Sequence, residues 1–186
     1  MLTLLSPAKK LDMGPVTIGV PITQPQLSDD MVELASIAKK QTASDLKELM
    51  HISDKLAAIN YERFQAFNLD NKSNSAKPAG FAFDGDVYWG LQIESLSKDT
   101  LAYAQRHLRI LSGLYGLLRP LDAIQPYRLE MGAKLKNHRG KSLYEFWGTR
   151  IADELNADFA DHNDATVVNL ASNEYFKVVD RDVLKQ

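Results

Sequence analysis

Apolar positions along the chain change their period several times, and each change marks a different element. Met1-Leu-Thr-Leu-Leu5 is a near-continuous apolar run halted by Ser6-Pro7, the pattern of a short buried strand. Residues 14–26 carry three prolines and read as extended or irregular. Ser28, followed by Asp29 and Asp30, predicts a helix start, because a hydroxyl caps free amides and carboxylates suit the positive end of the helix dipole. Met31, Leu34 and Ala38 mark the buried face of that helix. Thr42 and Asp45 have capping-box spacing and open a second helix, with Leu46, Leu49 and Met50 as its stripe and an end close to Ile52. Ser53 caps a third, in which Leu56, Ile59, Phe64 and Phe67 recur at helical spacing before a polar surface loop over residues 68–78.

Phe81-Ala-Phe83 reads as a strand entering the Asp84-Gly85 turn, and Asp86 to Gly90 as an aromatic, half-buried segment. Ser97, Lys98 and Asp99 open a further helix whose Leu101, Ala104, Leu108 and Leu111 face inward, with Gly113 placed to end it. Residues 114–130 are punctuated by glycine and proline. Ser142 and Glu145 repeat the capping spacing ahead of an amphipathic helix through Phe146, Trp147, Ile151 and Leu155. A second apolar strand, Ala165 to Leu170, runs into Ala171-Ser-Asn-Glu174 much as the first runs into Ser6-Pro-Ala-Lys9. Two strands ending in small polar loops put a candidate ligand site at the carboxyl edge of an α/β sheet.

Composition narrows the chemistry. Of 186 residues 45% are apolar, enough for one substantial core, and 22 Lys+Arg against 24 Asp+Glu leave a net charge of −2. The global positive excess of many nucleic-acid binders is absent, so such binding needs a local patch. With no cysteine, disulfides, thiolate nucleophiles and cysteine metal sites are excluded. The amino-terminal run is too short for a signal peptide, and no later stretch approaches the roughly 20 apolar residues of a membrane span. The chain is therefore expected to be cytoplasmic, with no membrane partner.

Four segments carry candidate chemistry. Met50-His-Ile-Ser-Asp-Lys-Leu-Ala57 resembles a helix-hairpin-helix nucleic-acid element at about residues 44–67. There the amides of the second helix would face phosphate with Lys55 as a cation beside them, Ile52 would fill the turn and Ala57 would allow close packing. His51 and Ser53 stand where such hairpins usually have glycine, and an ordinary helical hairpin fits the same residues. Lys9 and Lys10, after Ser6-Pro-Ala, form either an anion site at a strand end or a solvated basic loop. Arg119 and Arg128 lie in stretches dense in glycine, tyrosine and arginine; they suit phosphate contact, but Asp122 and Glu130 are near enough to make structural ion pairs instead. His51, His107, His138 and His162 lack two-histidine metal spacing, and Asp84 and Asp86 around Gly85 lack the remaining ligands of a calcium loop. No metal, cofactor, nucleophile elbow or Walker pattern is expected.

Taken in order, Leu5-Ser-Pro-Ala-Lys9, Ile52 to Ala57, Gly85-Asp-Val-Tyr88, Leu111 to Asp122, Pro126 to Met131, Tyr144-Glu-Phe-Trp147 and Asn169 through Lys177 resemble the YaaA family, also called UPF0246, across essentially the whole chain. The resemblance implies a mixed α+β fold of unusual topology, with residues 1–186 forming one domain that lacks its C-terminal part. It also implies a role in the response to hydrogen peroxide, restraint of the free iron that drives DNA damage, and DNA binding through a basic cleft and a helix-hairpin-helix. That directs attention to Lys9, Ser53, Lys55, Arg119 and Arg128, with duplex, single-stranded or branched DNA as partner. The competing expectation is an enzyme of unassigned reaction. In it Lys9, Lys55, Arg128 and Tyr88 or Tyr127 converge on a small anionic molecule at the strand ends. Direct iron binding by Asp84, Asp86, Glu130 or a histidine is a third, for which the spacing supplies no ligand set.

Overall fold

The computed structural model describes residues 1–17, 19–69 and 76–185. From the amino terminus these form β1 (Leu2–Leu5), β2 (Lys10–Leu11), α1 (Ser28–Ala38), α2 (Ala43–Met50) and α3 (Asp54–Ala66). Next come β3 (Lys77–Pro78), α4 (Ala79–Ala82), β4 (Phe83–Asp84), α5 (Asp86–Leu91), α6 (Lys98–His107), β5 (Leu108–Ser112), β6 (Gly116–Leu118) and β7 (Ala123–Ile124). The last elements are α7 (Leu143–Trp147), α8 (Arg150–Asp158), β8 (Val167–Asn169) and α9 (Asn173–Phe176). Helices and strands are interleaved, which makes this a mixed α/β fold. Among the described residues no helix is long and apolar enough to cross a membrane.

The main sheet has the order β6-β5-β1-β8. Its central strand, β1, pairs in parallel with β5, Thr3 opposite Leu108, and with β8, Thr3 opposite Val168; β6 returns antiparallel to β5. The continuous apolar sequence of β1 follows from this position, since Leu2, Leu4 and Leu5 are buried and the strand has neighbours on both edges. Two small antiparallel pairs, β2 with β4 and β3 with β7, tie the intervening segments down. Around the sheet packs a large apolar cluster containing Phe64, Tyr115, Phe146 and Trp147, while Phe81, Ile93, Leu101 and Leu121 form a smaller one. Trp147 is wholly buried, and its indole Nε1 donates to the Gly113 carbonyl at 3.1 Å.

Several elements differ from the expectation. Ser28 does not cap α1; it is the first helical residue, and the capping position is Leu27, which makes no side-chain cap bond. The buried face of α3 is Ala57, Asn60 and Phe64, while Leu56, next to Ala57 on the helix, faces outward and is exposed. Residues 68–78 are not wholly a surface loop: residues 70–75 lie outside the described residues, but Lys77 and Pro78 are buried in β3, and Lys77 pairs with Asp12 at 3.3 Å. Phe81 sits in the short helix α4 rather than a strand, and the aromatic segment after Gly85 is the helix α5. The helix from Ser97 stops at His107, and Leu108 to Ser112 turn into β5. The helix after Ser142 is broken at Gly148, whose φ of 49° interrupts the helical path.

Candidate functional site

Two regions carry the chemistry expected from the sequence. The first is the α2–α3 hairpin. Thr42 and Asp45 complete a reciprocal capping box, the Asp45 amide donating to Thr42 Oγ1 at 3.1 Å and the Thr42 amide to Asp45 Oδ2 at 2.8 Å. The Thr42 hydroxyl, which donates to Asp45 Oδ2 at 2.7 Å, and then the Thr42 amide hold the Asp45 carboxyl below the usual carboxylate range. At the other end His51 adopts a left-handed conformation, φ 52° and ψ 48°, which turns the chain sharply out of α2. Ile52 is then buried in the turn, and Ser53 caps α3, its Oγ accepting from the Leu56 amide at 3.3 Å. Ala57, at the start of α3, is 2% exposed.

The turn thus presents the amino end of α3 at the surface. Its first amides have no partner within the helix, as at any helix start, and carry the positive end of its dipole. Lys55 is exposed and makes no ion pair among the described residues. Asp54, an awkward neighbour for a phosphate, is held by Lys47 at 2.7 Å, so part of its charge is already answered.

The second region is the carboxyl edge of the sheet. The loop after β1 meets the loop after β8, the Ser172 amide donating to Ser6 Oγ at 2.9 Å. The Tyr88 hydroxyl donates to the Ser6 carbonyl at 2.9 Å, and Ser112, at the end of β5, shares a hydrogen with the Tyr127 hydroxyl at 2.6 Å. Burial pushes the phenols of Tyr88, Tyr127 and Tyr175 up, so all three stay protonated. Lys9 and Arg128 come together here on one carboxylate oxygen, Glu130 Oε1, at 3.5 and 2.8 Å. Arg63, from the last turn of α3, is near enough for Arg128 to act on it: burial first and then that like charge lower its pKa. Sequence spacing carried no signal for Arg63.

Of the five cations and hydroxyls singled out from the sequence, the structure joins Lys9 with Arg128, and Ser53 with Lys55. Arg119 joins neither pair: its guanidinium grips the fully buried Asp122 through Nε and Nη2 and donates to the Gln24 carbonyl at 2.9 Å. Lys55 does not line the cavity at the strand ends. A groove of about 640 Å³ runs between the hairpin turn at His51 and Glu130. Its walls hold Asp45, Glu48, Glu130 and Glu174 against Lys134, Lys136 and His51, an acidic balance. Asp84 is bound by Lys10 at 2.5 Å and by the Trp89 indole at 2.6 Å. Among the described residues no three histidine, aspartate or glutamate side chains gather as metal ligands.

Comparison with known proteins places this geometry in a family. The family described as peroxide stress protein YaaA matches residues 1–186. A UPF0246 protein of Phenylobacterium zucineum is 55% identical over the whole chain, which covers 69% of that relative. One from Caulobacter sp. strain K31 is also 55% identical over the whole chain, covering 72% of its length. One from Saccharophagus degradans is 52% identical over 96% of this chain and 70% of its own.

Proposed function

Because the chain belongs to the family of peroxide stress protein YaaA, we propose that it serves the peroxide response as a sequence-independent DNA-binding protein of the cytoplasm, limiting the damage that free iron does to DNA. The observation that carries this reading is the shape of the hairpin: left-handed His51, buried Ile52, capping Ser53 and close-packed Ala57 present the amide end of α3 to solvent with Lys55 on its first turn. Such an end takes a phosphate oxygen through backbone donors and the helix dipole, and it reads no base. The groove beside it is too acidic to extend the track, so phosphate contact is local to the helix end and the exposed lysines near it. The Lys47–Asp54 pair leaves the amides as the dominant positive feature.

Backbone binding of this kind releases counterions, and the test follows from that. Affinity for duplex and branched DNA is measured across a salt series, and the logarithm of the binding constant should fall steeply. Lys55→Ala should weaken binding to all sequences alike and reduce the salt slope by about one. Ile52→Asp, which puts a charge into the turn, should abolish binding if the hairpin is the site. Binding that ignores salt, or survives both substitutions, refutes the reading.

A further inference from the structure

Arg128 carries a donor that the protein leaves unused. Its Nη2 donates to Glu130 Oε1 at 2.8 Å, while its Nε is buried and meets no acceptor among the described residues. A buried donor left unmet costs about 1–3 kcal/mol, and its persistence marks a place where an acceptor belongs. Arg128 also helps to wall a cavity of about 20 Å³, room for a single water, together with Pro7 to Lys9, Tyr127, Leu129, Glu130 and Tyr175. Of the charged groups that wall it, Lys9 and Arg128 face one carboxylate, Glu130.

The walls differ in how firmly they are held. Tyr127 is buried and bonded to Ser112, so that side is fixed. Lys9 is not: its side chain is 70% exposed and its 3.5 Å contact with Glu130 is the longer of the two. Exposed pairs of that kind are weak, so Lys9 swings out at little cost and opens the cavity toward solvent. The carboxyl edge of parallel strands is also where open α/β sheets hold their ligands, and this cavity follows directly from the loop after β1.

The geometry points to a binding site for a small oxyanion, a carboxylate or phosphate group, held by Lys9 and Arg128 in the place that Glu130 occupies as an internal stand-in. The incoming oxygens accept from the idle Nε as well as from Nη2, the two-pronged grip for which a guanidinium is built, and Lys9 closes over them as a point charge. Glu130 is then a competitor, and removing its charge strengthens binding instead of weakening it. The site is separate from the hairpin, so it stands or falls independently of DNA binding through Lys55.

The test uses the ¹⁵N-labelled chain and follows the Arg128 Nε–H resonance, assigned by its loss in Arg128→Lys, during titration with inorganic phosphate and with acetate at fixed ionic strength. A saturable shift is expected with at least one of them. Glu130→Gln should tighten the apparent affinity by about tenfold, the scale of one charge-assisted hydrogen bond freed from competition. Lys9→Ala should weaken it several-fold, and Lys55→Ala should leave it unchanged. Near-UV circular dichroism confirms that each variant is folded, and should Glu130→Gln fail to fold, the Lys9→Ala arm decides. A shift that never saturates, or a Glu130→Gln protein that binds no tighter than the parent, overturns the proposal. Oligonucleotides with and without a 5′-phosphate then separate a DNA end from a free small anion as the source, a preference for the phosphorylated strand assigning the former.

Discussion

Arg109 and Asp158 meet at 2.6 Å with their side chains only 4% and 9% exposed, one at the start of a central strand and the other at the end of a helix. The guanidinium also donates to the carbonyls of Gln105, Arg106 and Leu108, closing the end of α6 where it gives way to β5. Arg109 therefore joins helix, strand and α8 in one network. Asp158→Ala would strand a buried cation, and urea denaturation should show a loss of about 3–5 kcal/mol. The double variant Arg109→Met, Asp158→Leu should lose less than the single one, since it buries no unpaired charge.

Glu154, one turn before Asp158, gives a pH signature. Burial, and then the charge of Asp158, raise its pKa, with Arg119 and Arg109 pulling the other way. The folded protein holds this proton more tightly than the unfolded chain does. The associated stability is complete below the unfolded value, about 4.3 for glutamate, and is lost as pH rises through the folded value. Glu154→Gln keeps an oxygen for the Gln26 amide, which donates to Glu154 at 2.5 Å. Its denaturation midpoint should match the parent in acid and exceed it at pH 7.

Gly113 has no room for a side chain. A Cβ there would lie 2.3 Å from the Leu129 carbonyl oxygen, a backbone atom that cannot move aside. Gly113→Ala should cost several kcal/mol, on the order of the larger overpacking penalties, and should disturb the Trp147 indole that donates to the Gly113 carbonyl. Thermal unfolding followed by tryptophan fluorescence reports both effects.

His51 predicts the opposite sign. It is a non-glycine residue held at φ 52°, where an L side chain costs about 1–2 kcal/mol and glycine none. After the greater freedom of glycine in the unfolded chain is subtracted, His51→Gly should stabilise the protein by up to about 1 kcal/mol in chemical denaturation. The same variant should keep DNA binding, because the turn shape, not the imidazole, presents α3.

Features written in neighbouring residues were legible from sequence. The Thr42–Asp45 box and the Ser53 cap depend on spacings of three residues, and both form as read. The boundary at His107 was not legible, because Leu101, Ala104, Leu108 and Leu111 keep helical spacing straight across it. The helix stops there because β1, over a hundred residues away, captures Leu108 to Ile110. Likewise Leu56 reads as core on helical spacing yet is exposed, while Ala57, expected to allow close packing in the hairpin, is buried. At the candidate site the alternatives for Arg119 and Arg128 were visible because Asp122 and Glu130 are close in sequence, and both ion pairs form. What brings Arg63 beside Arg128, or sets Asp45 and Glu48 opposite Glu130, is the packing of distant segments.

The central position of β1 has a consequence for synthesis. Thr3 finds its partner on one side at Leu108 and on the other at Val168, so this strand is flanked only by strands made long after it. At 5–20 residues per second, roughly 5–20 s pass before Leu108 has been made. For that interval an apolar strand has both edges open to any other nascent chain. Its length of four residues, with Thr3 among the leucines, keeps that exposure small and offers little for a stranger to pair with.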